Sequence, residues 1–194
     1  MMGKRIGFGI TASHCTYEEV VPKIQVFRDA GAVVVPIVSQ SVVTAATRFG
    51  TGDEWIARIE EVSGEKVIQT IADAEPLGPK APLDCMVIAP MTGTSLSKFV
   101  HAINDSPVLM AAKATLRTNR PVVIGISSND ILGANGVNVM TAINMKDVYI
   151  VPFGQDDPHR KPKSCISDFN LLYDTVESAI DGKQLQPILL GYAE

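Results

Sequence analysis

A chain of 194 residues with 46% hydrophobic and 20% charged side chains is long enough to bury a substantial core and too apolar for a disordered segment. A net charge of −4 and a pI near 5.4 argue against a general nucleic-acid binder, and no apolar run reaches the length of a membrane span. The N-terminus, Met-Met-Gly-Lys-Arg before a short apolar stretch, has no signal-peptide core, and Cys15, Cys85 and Cys165 form no Cys-x-x-Cys pair; the expectation is a cytoplasmic protein, one domain over residues 1–194, with no metal site.

Arg5–Ile10 is the first of several short, almost continuously apolar runs, the pattern of strands buried on both faces in a parallel sheet. It carries Gly7 and Gly9, which leave nothing to pack, and it stops on Thr11-Ala12-Ser13, whose N–H groups and hydroxyls suit an anion at a helix start. Val20, Ile24 and Phe27 fall at i, i+4, i+7 and predict the next helix, which Pro22 should kink or delay. Residues 32–38 predict a second strand, ending on Ser39-Gln40-Ser41. Gly50-Thr-Gly52 reads as a loop, Trp55, Ile56 and Ile59 as a helix face, 66–70 as a weaker strand, and 75–82 as a loop. Residues 85–89 are the next strand, with Cys85 in the core, followed by Pro90-Met91-Thr92-Gly93-Thr94-Ser95. Leu96, Phe99, Val100 and Ile103 mark a helix, and 108–116 another. Residues 121–126 are a strand ending on Ser127-Ser128-Asn129-Asp130, and 148–151 a fifth. The polar, Pro-containing stretch 154–163 reads as a mobile excursion, and 171–180 as the last helix.

Strands alternating with helices predict an α/β fold, a doubly wound parallel sheet whose inner strands are 5–10, 32–38, 85–89 and 121–126. Ligands of such sheets bind beyond the carboxyl ends of the strands. Four of those ends are loaded here with hydroxyls and small residues, and none offers a His/Asp/Glu cluster or an arginine fork. That chemistry suits a phosphate monoester. Gly7-Phe-Gly9-Ile-Thr-Ala12 is a degraded dinucleotide fingerprint and there is no P-loop, so a mononucleotide such as FMN fits better. Helix capping would explain the hydroxyls of any single loop; four adjacent loops favour a site.

Gly9-Ile-Thr-Ala-Ser13, Val38-Ser39, Val62-Ser63-Gly64, the loop from Ala89 to Lys98 and Ile103-Asn104-Asp105 together resemble the flavoprotein family that includes the FMN-dependent cysteine decarboxylases and the flavin prenyltransferases. The resemblance covers nearly the whole chain and implies a Rossmann-like three-layer sandwich that binds FMN. It places Ser13 and Ser39 at the FMN phosphate, with Gly9, Thr11 and Ala12 among the cofactor-binding residues. Pro90, Met91, Thr92, Thr94 and Ser95 would line the ribityl–phosphate and ring region. Ser127, Ser128 and Asn129 would lie at the substrate, with Asn129 matching a carboxylate contact of the decarboxylases. It further implies a homo-oligomer, a trimer or a multiple of trimers, and a second, different subunit with which the chain oxidises a small dicarboxylate. The chain also departs from the family. Gly78-Pro-Lys-Ala-Pro82 lacks the decarboxylases' histidine, Ile126-Ser-Ser128 replaces their Pro-Ala-Met, and the prenyltransferases' arginine is missing. His14 and Asn129 remain the catalytic candidates, with His101 and His159 read as surface residues. Two rival readings stay open: a scaffold with a vestigial phosphate pocket, and an FMN-dependent decarboxylase.

Overall fold

The computed structural model describes residues 1–191. β1 (Arg5–Ile10) leads through a 3₁₀ turn to α1 (Tyr17–Val20) and α2 (Lys23–Asp29), then to β2 (Val33–Val38) and α3 (Gln40–Val43). A small hairpin, β3 (Ala46–Thr47) and β4 (Gly50–Thr51), precedes α4 (Gly52–Ser63) and α5 (Ile71–Ala74). β5 (Cys85–Met91) is followed by α6 (Gly93–Val100) and α7 (Pro107–Leu116), and β6 (Val122–Ser128) by α8 (Gly136–Asn144). The chain continues through β7 (Val148–Ile150), β8 (Phe153–Gln155), β9 (Cys165–Ser167) and α9 (Leu172–Ile180).

The sheet runs β2-β1-β5-β6-β7 with every pairing parallel, and the short ribbon β9-β8 joins the last two residues of β6 antiparallel. Alternation in the strands sends side chains to two separate layers. Ile6, Phe8, Ile10, Val87 and Val123 pack under α1, α2, α4 and α9, where Ile24, Phe27, Ile59 and Val176 meet them. Met86, Ile88, Ile124 and Ile126 pack under α6, α7 and α8 against Leu96, Phe99, Val108 and Val139. Each such side chain fully withdrawn from water contributes about 1.5–3 kcal/mol. Among the described residues no helix is long and apolar enough to cross a membrane.

The glycines of β1 belong to this packing. A Cβ on Gly7 would lie 2.5 Å from Leu83 Cδ1 and 2.7 Å from Met86 Sδ; one on Gly9 would lie 2.7 Å from Met86 Cε and 2.8 Å from Val108 Cγ1. The missing side chains let α7 and β5 close on β1, and Gly9 is core, away from any ligand-binding rim.

Several expectations are corrected. β2 is the outermost parallel strand, not an inner one, and the predicted strand at 66–70 is a single bridge, Ile68 to Ile37, on its outer edge. Pro22 divides the first helix in two, since its ring and missing N–H interrupt the ladder. Gly50-Thr-Gly52 is part of a hairpin and a helix start: the Thr51 hydroxyl accepts the Glu54 N–H while the Glu54 carboxylate accepts the Thr51 N–H, a reciprocal cap. The third predicted helix stops at Val100, leaving Ile103 half-exposed. Within 154–163, Gly154 and Gln155 belong to β8 and the rest to the connection to β9, pinned by Lys161–Asp156 (3.2 Å) and by Arg160 N–H donating to Asp157 Oδ1 (3.0 Å).

Candidate functional site

β1 has its chain neighbours on opposite sides, β2 on one and β5 on the other, so the carboxyl ends of β1 and β5 flank the crevice where a doubly wound sheet takes its ligand. An open cleft occupies it. The half toward β6, about 690 Å³, is walled by Ala12, Ser13, Thr92, Thr94, Ser127 and Asn129; the half toward β2, about 340 Å³, by Ser39, Gln40, Ser41, Ser95 and Ser106. Ala12, Thr92, Thr94 and Lys98 line both.

Thr11 ties the two strand ends together. Its hydroxyl donates to Pro90 O (2.8 Å) and accepts the Thr92 N–H (3.0 Å). Thr92 in turn caps α6, accepting the Ser95 N–H (3.3 Å) and donating to Ser95 Oγ (3.0 Å). The first-turn amides of α6, at Gly93 and Thr94, have no carbonyl within the helix to bond and carry the positive end of its dipole. Ser39 Oγ is buried with no hydrogen-bond partner among the described residues. An orphaned buried hydroxyl costs about 1–3 kcal/mol, and a ligand oxygen in the β2 half of the cleft would satisfy it.

The opposite wall is a chain of hydrogen bonds. The Ser128 hydroxyl donates to Asp130 Oδ1, Asn135 Nδ2 donates to Asp130 Oδ2 (2.7 Å), and Asn138 Nδ2 donates to Asn135 Oδ1 (2.7 Å). Gly93 makes room for it: a Cβ there would lie 2.6 Å from Asn135 Nδ2, 2.7 Å from Ser128 Oγ and 2.8 Å from Asp130 Oδ1. The ionisable side chains of the cleft are already held: Lys98 pairs with Asp105 at 2.7 Å, and Asp130 accepts two hydrogen bonds.

Of the residues expected at the site, Ala12, Ser13, Ser39, Thr92, Thr94, Ser95, Ser127, Ser128 and Asn129 line the cleft. Gly9, Thr11, Pro90 and Met91 are buried behind its floor, where they hold the strand ends. Ser13 differs from expectation in detail. Its N–H is taken by Thr11 O (2.8 Å), its hydroxyl bonds Ser127 Oγ (2.7 Å), and the helix beginning there is a three-residue 3₁₀ turn. The helix that can act on an anion is α6. His14 packs on Tyr17 with ring centroids 4.9 Å apart and is not among the residues lining the cleft. Its Nδ1 is buried without a hydrogen-bond partner among the described residues, and burial lowers its pKa, favouring the neutral ring. Residues 78–82, where the family's histidine is absent, approach Arg5 at the opposite end of the sheet, with Arg5 Nη1 donating to Ala81 O (2.8 Å). Asp130, Asn135 and Asn138 were not anticipated as wall residues; the signal was the asparagine pair three apart after the fourth strand.

A three-layer α/β sandwich with a hydroxyl-lined cleft at its switch point is the setting of a nucleotide- or flavin-binding protein. A profile of the flavoprotein family matches residues 1–161, and the chain belongs to that family. It is 56% identical to the dipicolinate synthase B subunit of Bacillus subtilis (strain 168), over 98% of this chain and 95% of that one. The crystal structure of the dipicolinate synthase B subunit from Bacillus halodurans superposes with a TM-score of 0.91 at 52% identity, covering 98% of this chain and 97% of the other. The FMN-dependent cysteine decarboxylase SpaF shares the fold at 20% identity, with a TM-score of 0.62 over 91% of this chain and 97% of its own.

Proposed function

We propose that this chain is the FMN-binding B subunit of a dipicolinate synthase, working with an A subunit in sporulation to form pyridine-2,6-dicarboxylate. The precursor would be a dihydro- or hydroxytetrahydro-dipicolinate; the reaction removes two hydrogens, after loss of water from the hydroxylated form. The observation that carries the flavin reading is the orphaned Ser39 hydroxyl, buried in a cleft whose other walls are hydroxyls and the amides of the α6 start. Those residues fit a phosphate monoester. Ser39, Thr94 and Ser95 would hold the phosphate, with Thr92 and Ala12 beside the rest of the cofactor. When bound, FMN supplies a two-electron acceptor for hydride. Ser127 and Asn129 lie across the cleft, where a hydroxyl and a carboxamide can orient a substrate carboxylate. Ser128 is already committed as a donor to Asp130 and serves to hold that wall.

No ionisable group lining the cleft is left uncommitted among the described residues. That supports a partner supplying the group that moves protons. It is also the observation favouring the second reading, in which the chain activates the A subunit without flavin. Visible absorbance of the purified chain separates the two, and the ultraviolet absorbance of pyridine-2,6-dicarboxylate reports turnover. Flavin bands are expected on this chain, and product only when both subunits and flavin are present. Full activity from flavin-free protein would support the scaffold instead.

A further inference from the structure

Behind the ridge Ser127–Ser128–Asn129 lies a second, smaller chamber of about 110 Å³. Ser13 and the ridge residues line both it and the main cleft, so the two spaces adjoin along that ridge. Its far side comes from the β8–β9 hairpin: Asp156, Lys161 and Ser164. The chamber is far smaller than the main cleft, and most of the residues lining it are polar. The hairpin is held over the ridge. Leu132 N–H donates to Lys163 O (3.0 Å), and the buried Ser164 hydroxyl reaches Ser128 O (3.3 Å) and Asn129 Oδ1 (3.4 Å), while Gln155 Nε2 donates to Pro162 O (2.9 Å) within the hairpin.

We infer that this chamber is a carboxylate subsite, with Lys161 supplying the charge that recognises one carboxylate of the substrate. The inference rests on the dicarboxylate reading above. Lys161 has three N–H donors and spends one on Asp156 at 3.2 Å. The chain's own carboxylate thus already occupies the kind of position a ligand carboxylate would take. Ser13 and Ser127 share a single hydroxyl–hydroxyl bond of 2.7 Å in which either can donate, so one O–H can be turned toward a ligand oxygen without breaking a backbone contact. Asp156 opposes the ligand by like charge and tempers its affinity, which a subunit that must release a dianionic product needs.

This arrangement makes the two members of one ion pair act in opposite directions, which a merely structural pair would not. The test is calorimetric titration of pyridine-2,6-dicarboxylate, free of divalent metal, into the full chain with and without added FMN. Lys161→Met should weaken binding about tenfold to a hundredfold, the loss of one charge-assisted hydrogen bond. Lys161→Arg should retain most of it. Asp156→Asn, which keeps an acceptor for Lys161, should tighten binding several-fold. FMN affinity should be unchanged in all three variants. Weakening by both Lys161→Met and Asp156→Asn, no effect of either, or no dicarboxylate binding by wild type at millimolar concentration would each overturn the subsite. Failure to bind FMN would overturn the flavin reading instead, and the titration without FMN would still decide the subsite.

Discussion

Ser39 and Ser13 are both serines at the end of a parallel strand, yet they stand in opposite situations. The Ser13 hydroxyl is satisfied by Ser127, while the Ser39 hydroxyl is buried and unsatisfied. A hydroxyl left unpaired on the lining of a cleft costs the free protein stability and gains a partner if a ligand fills the cleft. Ser39→Ala should therefore act with opposite signs. The thermal midpoint of the cofactor-free protein should hold or rise by a few degrees, since removing an orphan worth about 1 kcal/mol moves a domain of this size by about 2–4 °C. FMN affinity should fall by about tenfold or more. Calorimetric melting of the free protein and fluorescence titration with FMN measure the two effects. A melt lowered by several degrees with FMN binding intact would make Ser39 a structural residue.

At the scale of elements, two glycines separate packing from binding. Gly9→Ala drives a methyl against Val108 Cγ1 at 2.8 Å and leaves 3.3 Å to Val87 O, in a layer that cannot open; it should cost about 1–3 kcal/mol in urea unfolding and leave the cleft's chemistry alone. Gly93→Ala meets first the side-chain ends of the polar wall, so it should disturb the Ser128–Asp130–Asn135 hydrogen bonds beside the cleft and lose ligand affinity. Asp84, just before β5, fastens the other end of the sheet. Burial raises its pKa, but the Arg5 N–H (2.9 Å), Lys4 (3.2 Å) and the charge of Arg120 outweigh it and hold the carboxyl below its ordinary value. A folded-state pKa depressed in this way adds stability above the unfolded value, and that stability is lost as pH falls through the folded one. Asp84→Asn should accordingly be less stable than wild type by about 1–2 kcal/mol at pH 7, with the gap closing below about pH 4; urea titrations across that range check it.

The elements legible in the sequence were those whose pattern matches their burial. The continuous apolar runs of β1, β5 and β6 could be nothing but strands covered on both faces, and the hydroxyls at their carboxyl ends marked the cleft. β8 and β9 were missed because each is three residues long and frames a charged turn, so composition masked the pairing. α8 has no clear sequence signature, because its start carries Asn135, Gly136 and Asn138, poor helix formers, and the asparagines are spent on the polar wall. The Thr11 hydroxyl ties the strand ends at Pro90 and Thr92, a bond that depends on which way one hydroxyl turns and that spacing does not carry.

For the molecule as a whole, the cleft is open on one side, and α8 with the loop before it leaves Leu132, Val137 and Met140 more than half exposed. Apolar side chains clustered beside a ligand cleft mark a surface that another chain covers. The protein should be a homo-oligomer in solution, a trimer or a multiple of trimers, and Val137→Glu with Met140→Lys should reduce it toward monomer. Light scattering across micromolar concentrations measures both, and a monomeric wild type would remove this surface as a subunit contact.

Whether the switch-point cleft holds FMN decides the rest. Titration of the purified chain with FMN at fixed salt, followed by quenching of flavin fluorescence, tests it directly. Saturable binding of one FMN per chain is expected, abolished or strongly weakened by Ser39→Ala combined with Gly93→Ala. Absence of saturable binding, or binding to the double variant as tight as to wild type, would contradict it.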